Sequence, residues 1–143
     1  MNDVKYTFDN IEALQRNREI EGEKGTEIGL PGGITLTVLA ASDANPRWRA
    51  RSEQIHSELR RLTAARATPE RQRSYLSRVY ADCLVVGWSG VTSNDVEVPF
   101  SPDACAAFLR LADDAFEAIG NVVHDTKMFR GERIQIAVDQ GKA

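Results

Sequence analysis

Three places in this chain carry the same signal for the start of an α-helix. At each one, a side chain that can cap a helix is followed by proline: Asn45-Pro46, Thr68-Pro69 and Ser101-Pro102. Asn, Thr and Ser accept hydrogen bonds from the free N–H groups of a first helical turn, and proline fits the first position because it has no N–H. We expect helical segments over residues 47–66, 69–86 and 102–129, the last with a break near Ala112-Asp113.

A β-hairpin is predicted ahead of these helices. The stretch EIGL-PGG-ITLTVL places two apolar runs around a Pro-Gly-Gly turn, and its second run alternates with a period of two. A lone hairpin is marginally stable in water, so it must lie on helices or pair with another chain through an open edge. The fold class predicted is mainly α, a small helical bundle with an N-terminal β-hairpin, in which Gly87 ends the second helix.

The 143 residues are enough for one domain with a hydrophobic core. The first residues are polar and poor in core material, so 1–25 are expected to form a flexible N-terminus. The helical domain with its hairpin is expected over 26–129, and a short amphipathic tail over 130–143.

Charge is segregated along the chain although the net charge is only −3. Residues 47–78 carry nine arginines against three glutamates, and 79–125 carry eight acids against Arg110 alone. Oppositely charged faces of this kind favour contacts with a partner. The expected partner-binding residues are Arg47, Arg51, Arg60, Arg61 and Trp48.

Two other interpretations of the arginines stay open. The chain could be a nucleic-acid-binding helical module that uses the Arg-rich segment 47–78, although its overall acidity makes this the less favoured hypothesis. Alternatively, the arginines could form a solvated face that pairs with the acidic helices of the same chain.

Nothing in the sequence predicts an enzyme, a cofactor or a metal site. The two cysteines and two histidines, Cys83, Cys105, His56 and His124, do not have the short spacings of a zinc site, and no phosphate-binding or nucleophile motif is present. No apolar run approaches the length of a membrane span, and the first residues do not read as a secretory signal. The expected location is the cytoplasm.

Residues Tyr80 to Arg130 resemble the tail assembly chaperones of long-tailed (siphovirus-like) bacteriophages and related prophage or gene-transfer elements. The resemblance lies in YADCLVVGWSGV, then VEVPFSPDACAAFL, then DDAFEAIGNVVHDTKMF, and in the earlier ANPRWRAR. One departure is the turn, where Ser93-Asn94-Asp95 replaces the usual glycine, so that Asn94 or Asp95 is expected to take a positive φ. Trp88, Pro99 and Phe100 are the structural motif, and the rings of Trp88 and Phe100 are expected to pack between the helix that ends at Trp88 and the helix that follows Phe100, as part of the core.

The resemblance implies a non-catalytic role in phage tail assembly. Such chaperones bind the long tape-measure protein and keep it soluble while tail-tube subunits polymerise around it. The implied partners are the tape-measure protein, the tail-tube protein and further copies of the chain itself. The implied location is the cytoplasm of the host bacterium, with the protein absent from the mature virion.

Overall fold

A computed structural model describes residues 6–9, 11, 14–130 and 134–135. The predicted capping side chains Asn45, Thr68 and Ser101 each accept a hydrogen bond from an N–H of the first helical turn. The predicted break near Ala112-Asp113 is confirmed, because Ala112 leaves the helical conformation with ψ of 88°. The helices are α1 (Pro46–Ala64), α2 (Pro69–Cys83), α3 (Pro102–Leu111) and α4 (Asp113–Val123).

The predicted hairpin is present and consists of β1 (Thr26–Leu30) and β2 (Ile34–Val38). The strands pair antiparallel, with Ile28 opposite Leu36. In the turn between them, Gly32 and Gly33 have φ of 87° and 79°, a region that L side chains avoid.

The predicted fold class is wrong: the chain has a mixed α/β fold, not a mainly α helical bundle. Helix α2 ends at Cys83, and the segment expected to finish it is strand β3 (Val85–Ser89). Strand β3 pairs antiparallel with β2, so that Trp88 lies opposite Leu36. A short apolar run has no periodicity that distinguishes a strand from the buried end of a helix. Here the open edge of the hairpin offers unpaired backbone groups, and the run pairs with that edge as a strand.

Three shorter strands complete the sheets: β4 (Thr92–Ser93), β5 (Val96–Glu97) and β6 (Ile134–Gln135). Strand β6 pairs parallel with β1, which gives a four-stranded sheet in the order β3-β2-β1-β6. Both edges of the hairpin are therefore paired within the chain. Strands β4 and β5 form a separate hairpin whose turn contains Asn94 and Asp95, with φ of 52° and 65° as the polar turn predicted.

One hydrophobic core joins the sheet to all four α-helices. Among its fully buried side chains are Ile28, Leu36, Val85, Ile55, Val79, Leu109 and Ile119. Helices α2 and α3 lie directly against each other, with the small residues Ser77, Ala81, Cys105 and Ala106 buried on them. The sheet and the helices are thus one packed unit.

A short π-helical turn (Ile20–Lys24) precedes β1, and a 3-10 turn (Thr126–Met128) follows α4. The expected tail over 130–143 lies almost wholly outside the described residues, as do residues 1–5, 10, 12 and 13 of the expected N-terminus. The proposed boundaries at 25 and 130 stay predictions.

Candidate partner-binding surface

Helix α1 carries all five residues expected to bind a partner, and Asn45 fixes where that helix begins. The Asn45 Oδ1 atom accepts hydrogen bonds from the backbone N–H groups of Arg47 and Trp48 at 3.1 and 3.3 Å. Its Nδ2 atom donates to the carbonyl oxygens of Ala40 and Cys83 at 3.0 and 2.9 Å. One buried side chain therefore ties the start of α1 to the segment after β2 and to the end of α2.

Arg47 and Arg51 both lie beside Asp82, near the end of α2. The Nη1 atom of Arg47 is 3.5 Å from the Asp82 carbonyl oxygen, and the Nη1 atom of Arg51 is 3.4 Å from the Oδ2 atom of Asp82. Both guanidinium groups keep contact with solvent. The Arg51–Asp82 ion pair is of the solvent-accessible kind that contributes about 0–1 kcal/mol, and Arg47 contacts only a backbone carbonyl, so a partner's carboxylates can replace both contacts at little cost.

Arg60 and Arg61 lie near the other end of α1, about 20 Å from Arg47 at the rise of an α-helix. Arg61 binds the Glu58 carboxylate with both Nε and Nη2, the Nε distance being 2.9 Å. This pairing lowers the pKa of the Glu58 carboxyl and raises that of Arg61. Arg60 is exposed and forms no ion pair in the described part of the chain, and it projects about 140° around the helix from Arg47. The structure therefore does not bring all four arginines onto one side.

Trp48 is half-buried and lies between two histidines that are distant in sequence. The centroid of its indole ring is 6.1 Å from that of His56 and 6.1 Å from that of His124, both in edge-on arrangements. His56 lies about two turns after Trp48 on the same helix, whereas His124 ends α4 and is brought to Trp48 by the tertiary fold. Neither histidine was expected to contribute to a surface with Trp48.

Trp88, Pro99 and Phe100 lie where β3 and the segment before α3 meet. The Trp88 ring contacts the Phe100 ring edge-on at 5.3 Å and the Phe108 ring of α3 at 5.4 Å. Its Nε1–H donates a hydrogen bond to the Val98 carbonyl oxygen at 2.8 Å. Trp88 and Phe100 are half-buried against the core, while Pro99 is exposed. The sequence placed Trp88 at the end of a helix, but in the structure this residue lies on strand β3.

Two arginines of the basic segment join the helices of this chain to each other. Arg78 pairs with Asp82 at 2.9 Å and with Asp103 of α3 at 2.7 Å. Arg73 donates to the Leu109 carbonyl oxygen through Nε and Nη2, at 3.2 and 2.8 Å, and its Nη1 atom is 2.7 Å from Oδ1 of Asp113. The i,i+4 spacing of Arg78 and Asp82 could have been recognised in the sequence. The partners on α3 and α4 could not, because they lie 25 to 40 residues away.

The family model of the YdaY prophage protein matches residues 42–140. The chain belongs to this family. The matched range contains all four α-helices and β3, whereas β1 and β2, the strands that complete the sheet with β3, lie outside it. A search of the curated proteins and a search of the solved structures each found no match.

Within the described residues, no group of three or more His, Cys, Asp or Glu side chains is placed to hold a metal ion. Cys83 and Cys105 are buried free thiols, and burial raises the pKa of Cys105 to about 12. No helix in the described part of the chain is long and apolar enough to cross a membrane.

Proposed function

We propose that this prophage protein is a tail assembly chaperone that binds the tape-measure protein and keeps it soluble while the tail tube forms. The observation that carries the proposal is the prophage family, taken with the resemblance of residues 80–130 to such chaperones. In this role the protein is non-catalytic, acts in the cytoplasm of the host bacterium and is absent from the mature virion. The tail-tube protein is a second expected partner.

The surface of α1 around Arg47, Trp48 and Arg51 is the proposed contact. A guanidinium group presents parallel N–H donors that match a carboxylate, and a neighbouring aromatic ring adds apolar contact area. The partner segment would therefore be a helix with acidic residues next to its apolar stripe. Arg61 would extend the contact toward the end of α1, whereas Arg60 projects from another side of the helix and lies outside it.

The internal ion pairs weigh against the nucleic-acid hypothesis. Four of the nine arginines in 47–78 already lie against carboxylates of the same chain: Arg51, Arg61, Arg73 and Arg78. Charges that are neutralised in this way release fewer counterions from a phosphate backbone, which is the main source of such affinity. The pairing also agrees with the hypothesis of an internally paired basic face, which the variants below test.

Co-expression with a tape-measure fragment from the same prophage tests the proposal. We expect the soluble yield of the fragment to rise with the wild-type chain and to fall back with the double variant Arg47→Glu/Arg51→Glu. Arg71→Glu is the matched control, because it reverses an exposed arginine of the same segment outside the proposed contact.

Each outcome decides a different part of the proposal. A fragment whose solubility does not change with the wild-type chain contradicts the chaperone function. A fragment that is solubilised equally by wild type and by the double variant contradicts the contact surface but not the function. Detection of the chain by mass spectrometry in purified virions contradicts its proposed absence from the particle.

A further inference from the structure

An apolar groove lies at the end of the main sheet, where β1 enters its turn. The groove has a volume of about 350 Å³, and its apolar lining includes Leu30, Ile34, Phe108 and Ala112. Leu30 and Ile34 lie opposite each other on β1 and β2, so they share one face of the sheet. Phe108 is on α3, and Ala112 directly follows that helix. The groove therefore lies between the sheet and the helices that cover it.

Strand β6 leads toward this groove. It pairs parallel with β1, with Ile134 opposite Ile28 and Gln135 opposite Gly29. In a parallel pair both strands run in the same direction, so a further pair would place the residue after Gln135 opposite Leu30. Leu30 lines the groove. The next residue of the chain would thus lie at the wall of the groove.

The sequence after Gln135 has the pattern of a strand with one apolar face. Residues 134–139 read IQIAVD, in which Ile or Val occupies every second position and smaller or polar residues lie between them. In a continued strand, Ile136 would share the face of Leu30, whereas Ala137 would lie on the opposite face. The match to the YdaY family runs to residue 140 and includes these positions. The segment has both the position and the pattern that the groove requires.

We propose that residues 136–138 extend β6 along the end of β1 and that the Ile136 side chain fills the groove. The groove is then a docking site for a segment of the same chain. Placing a branched aliphatic side chain in it removes apolar surface of the side chain and of the lining from water. The longer strand also covers backbone groups at the edge of β1 that would otherwise be free to pair with another chain.

The connection to β6 favours this segment over a segment of another protein. A foreign strand would have to use the same edge of β1, which β6 already occupies at Ile28 and Gly29. Residue 136, by contrast, follows directly on a strand that is in place. Its effective concentration at the groove is therefore high, and only a few further residues have to be ordered.

Nuclear Overhauser effects in the full chain test the contact directly. We expect cross-peaks from the methyl protons of Ile136 to the ring protons of Phe108 or the methyl protons of Leu30. A sample that mixes isotope-labelled and unlabelled chains separates contacts within one chain from contacts between two chains. Cross-peaks within the chain support the proposal. Their absence, or cross-peaks that arise only between chains, would overturn it.

Ile136→Glu and Ala137→Glu form a matched pair, because they place the same acid on opposite faces of the proposed strand. Ile136→Glu puts a carboxylate into a groove that Asp113 and Asp114 also line, so burial and like charge both disfavour it. We expect this variant to lower the midpoint of thermal unfolding by about 5 °C or more. The exposed groove should also raise the fluorescence of the dye ANS by about twofold.

Ala137→Glu should match wild type in both measurements, because its side chain points away from the groove. Equal effects of the two variants, or no effect of either, would contradict a strand that continues with this alternation. Neither experiment contains a tape-measure fragment. A negative result would therefore remove the docking of residues 136–138 and leave the chaperone proposal unaffected.

Discussion

At the scale of single residues, Asn45 contributes more to this fold than its role as a cap suggests. Its side chain is fully buried and forms four hydrogen bonds, two as acceptor in α1 and two as donor to the carbonyl oxygens of Ala40 and Cys83. Thr68, by comparison, is an exposed cap with one such bond, to the N–H of Arg71. Comparing the two positions therefore separates the stability that comes from capping a helix from the stability that comes from buried hydrogen bonds to carbonyl groups.

Replacing Asn45 should therefore cost more than replacing Thr68. Thr68→Ala removes a cap, which costs about 1 kcal/mol of unfolding free energy. Asn45→Ala removes a cap and also leaves two buried carbonyl groups without their donor, so we expect a loss of about 3 kcal/mol. Urea unfolding of both variants measures the difference. Equal losses in the two variants would mean that water donates hydrogen bonds to the Ala40 and Cys83 carbonyl groups when the Asn45 amide is removed.

Unlike Asn45, Ser77 has a buried polar side chain without a hydrogen-bond partner among the described residues. In the described part of the chain, its buried Oγ atom finds no hydrogen-bond partner where α2 packs on α3. We expect Ser77→Ala to leave the unfolding free energy unchanged or to raise it by up to about 1 kcal/mol, because the desolvated hydroxyl is removed. Ser77→Val, which adds carbon atoms at a tight helix contact, should lower it by about 1–3 kcal/mol. A clear loss of stability in Ser77→Ala would show that the hydroxyl has a partner.

At the scale of elements, what the sequence predicts depends on whether the signal is local. The helix starts at Pro46, Pro69 and Pro102, the turn at Gly32-Gly33 and the break at Ala112 all follow from a few adjacent residues, and all were predicted. Strand β3 was not predicted, because Val85 to Trp88 is a short apolar run whose conformation depends on pairing with the distant edge of β2.

Two glycines test these assignments, because they differ in the space around them. A Cβ atom on Gly22 would lie 1.8 Å from the Ala44 carbonyl oxygen, whereas one on Gly87 would meet no atom within 4 Å. Gly87→Ala should change the unfolding free energy by less than about 0.5 kcal/mol or raise it, as expected of a strand residue without a positive φ.

Gly22→Ala should instead force the π-helical turn away from the loop at Ala44, and we expect a loss of more than about 2 kcal/mol. Both variants are measured by chemical denaturation. A large loss in Gly87→Ala would contradict β3, because it would indicate the left-handed helix end that the sequence had suggested. A Gly22→Ala variant that is as stable as wild type would contradict the close approach of Gly22 to the Ala44 carbonyl oxygen.

At the scale of the whole molecule, ion pairs within the chain decide which charges stay free. Arg73 and Arg78 of α2 reach α3 and α4, and Arg16 reaches the buried Glu21, whose Oε1 atom also accepts a hydrogen bond from Ser42 at 2.8 Å. Charge counting along the chain predicted two opposed faces. It could not show which arginines are already paired, because pairing depends on tertiary contacts.

Glu21 is the ion-pair partner most deeply enclosed by this network, and it makes stability depend on pH. Its hydrogen bonds from the Arg16 guanidinium hold the pKa of the Glu21 carboxyl below 4.5, its ordinary value. A carboxyl whose pKa is lower in the folded state stabilises the fold fully above the unfolded pKa. That contribution is lost as the pH falls through the folded pKa, so acid below about pH 4.5 should weaken the attachment of residues 16–21 to Ser42.

The variant Glu21→Gln isolates this effect, because other carboxyls with lowered pKa, such as Asp43 and Glu58, are retained in it. We expect the variant to be about 1–3 kcal/mol less stable than wild type at neutral pH, since a charged hydrogen-bond acceptor is replaced by a neutral one. The difference in unfolding free energy between the two chains should narrow as the pH falls below about 4.5, where the Glu21 carboxylate of wild type also loses its charge. Denaturant unfolding of both chains across this range measures this difference. A difference in unfolding free energy that stays constant with pH would mean that the Glu21 carboxyl has the same pKa in the folded and unfolded states. The contribution of Glu21 to stability would then come from packing and not from its charge.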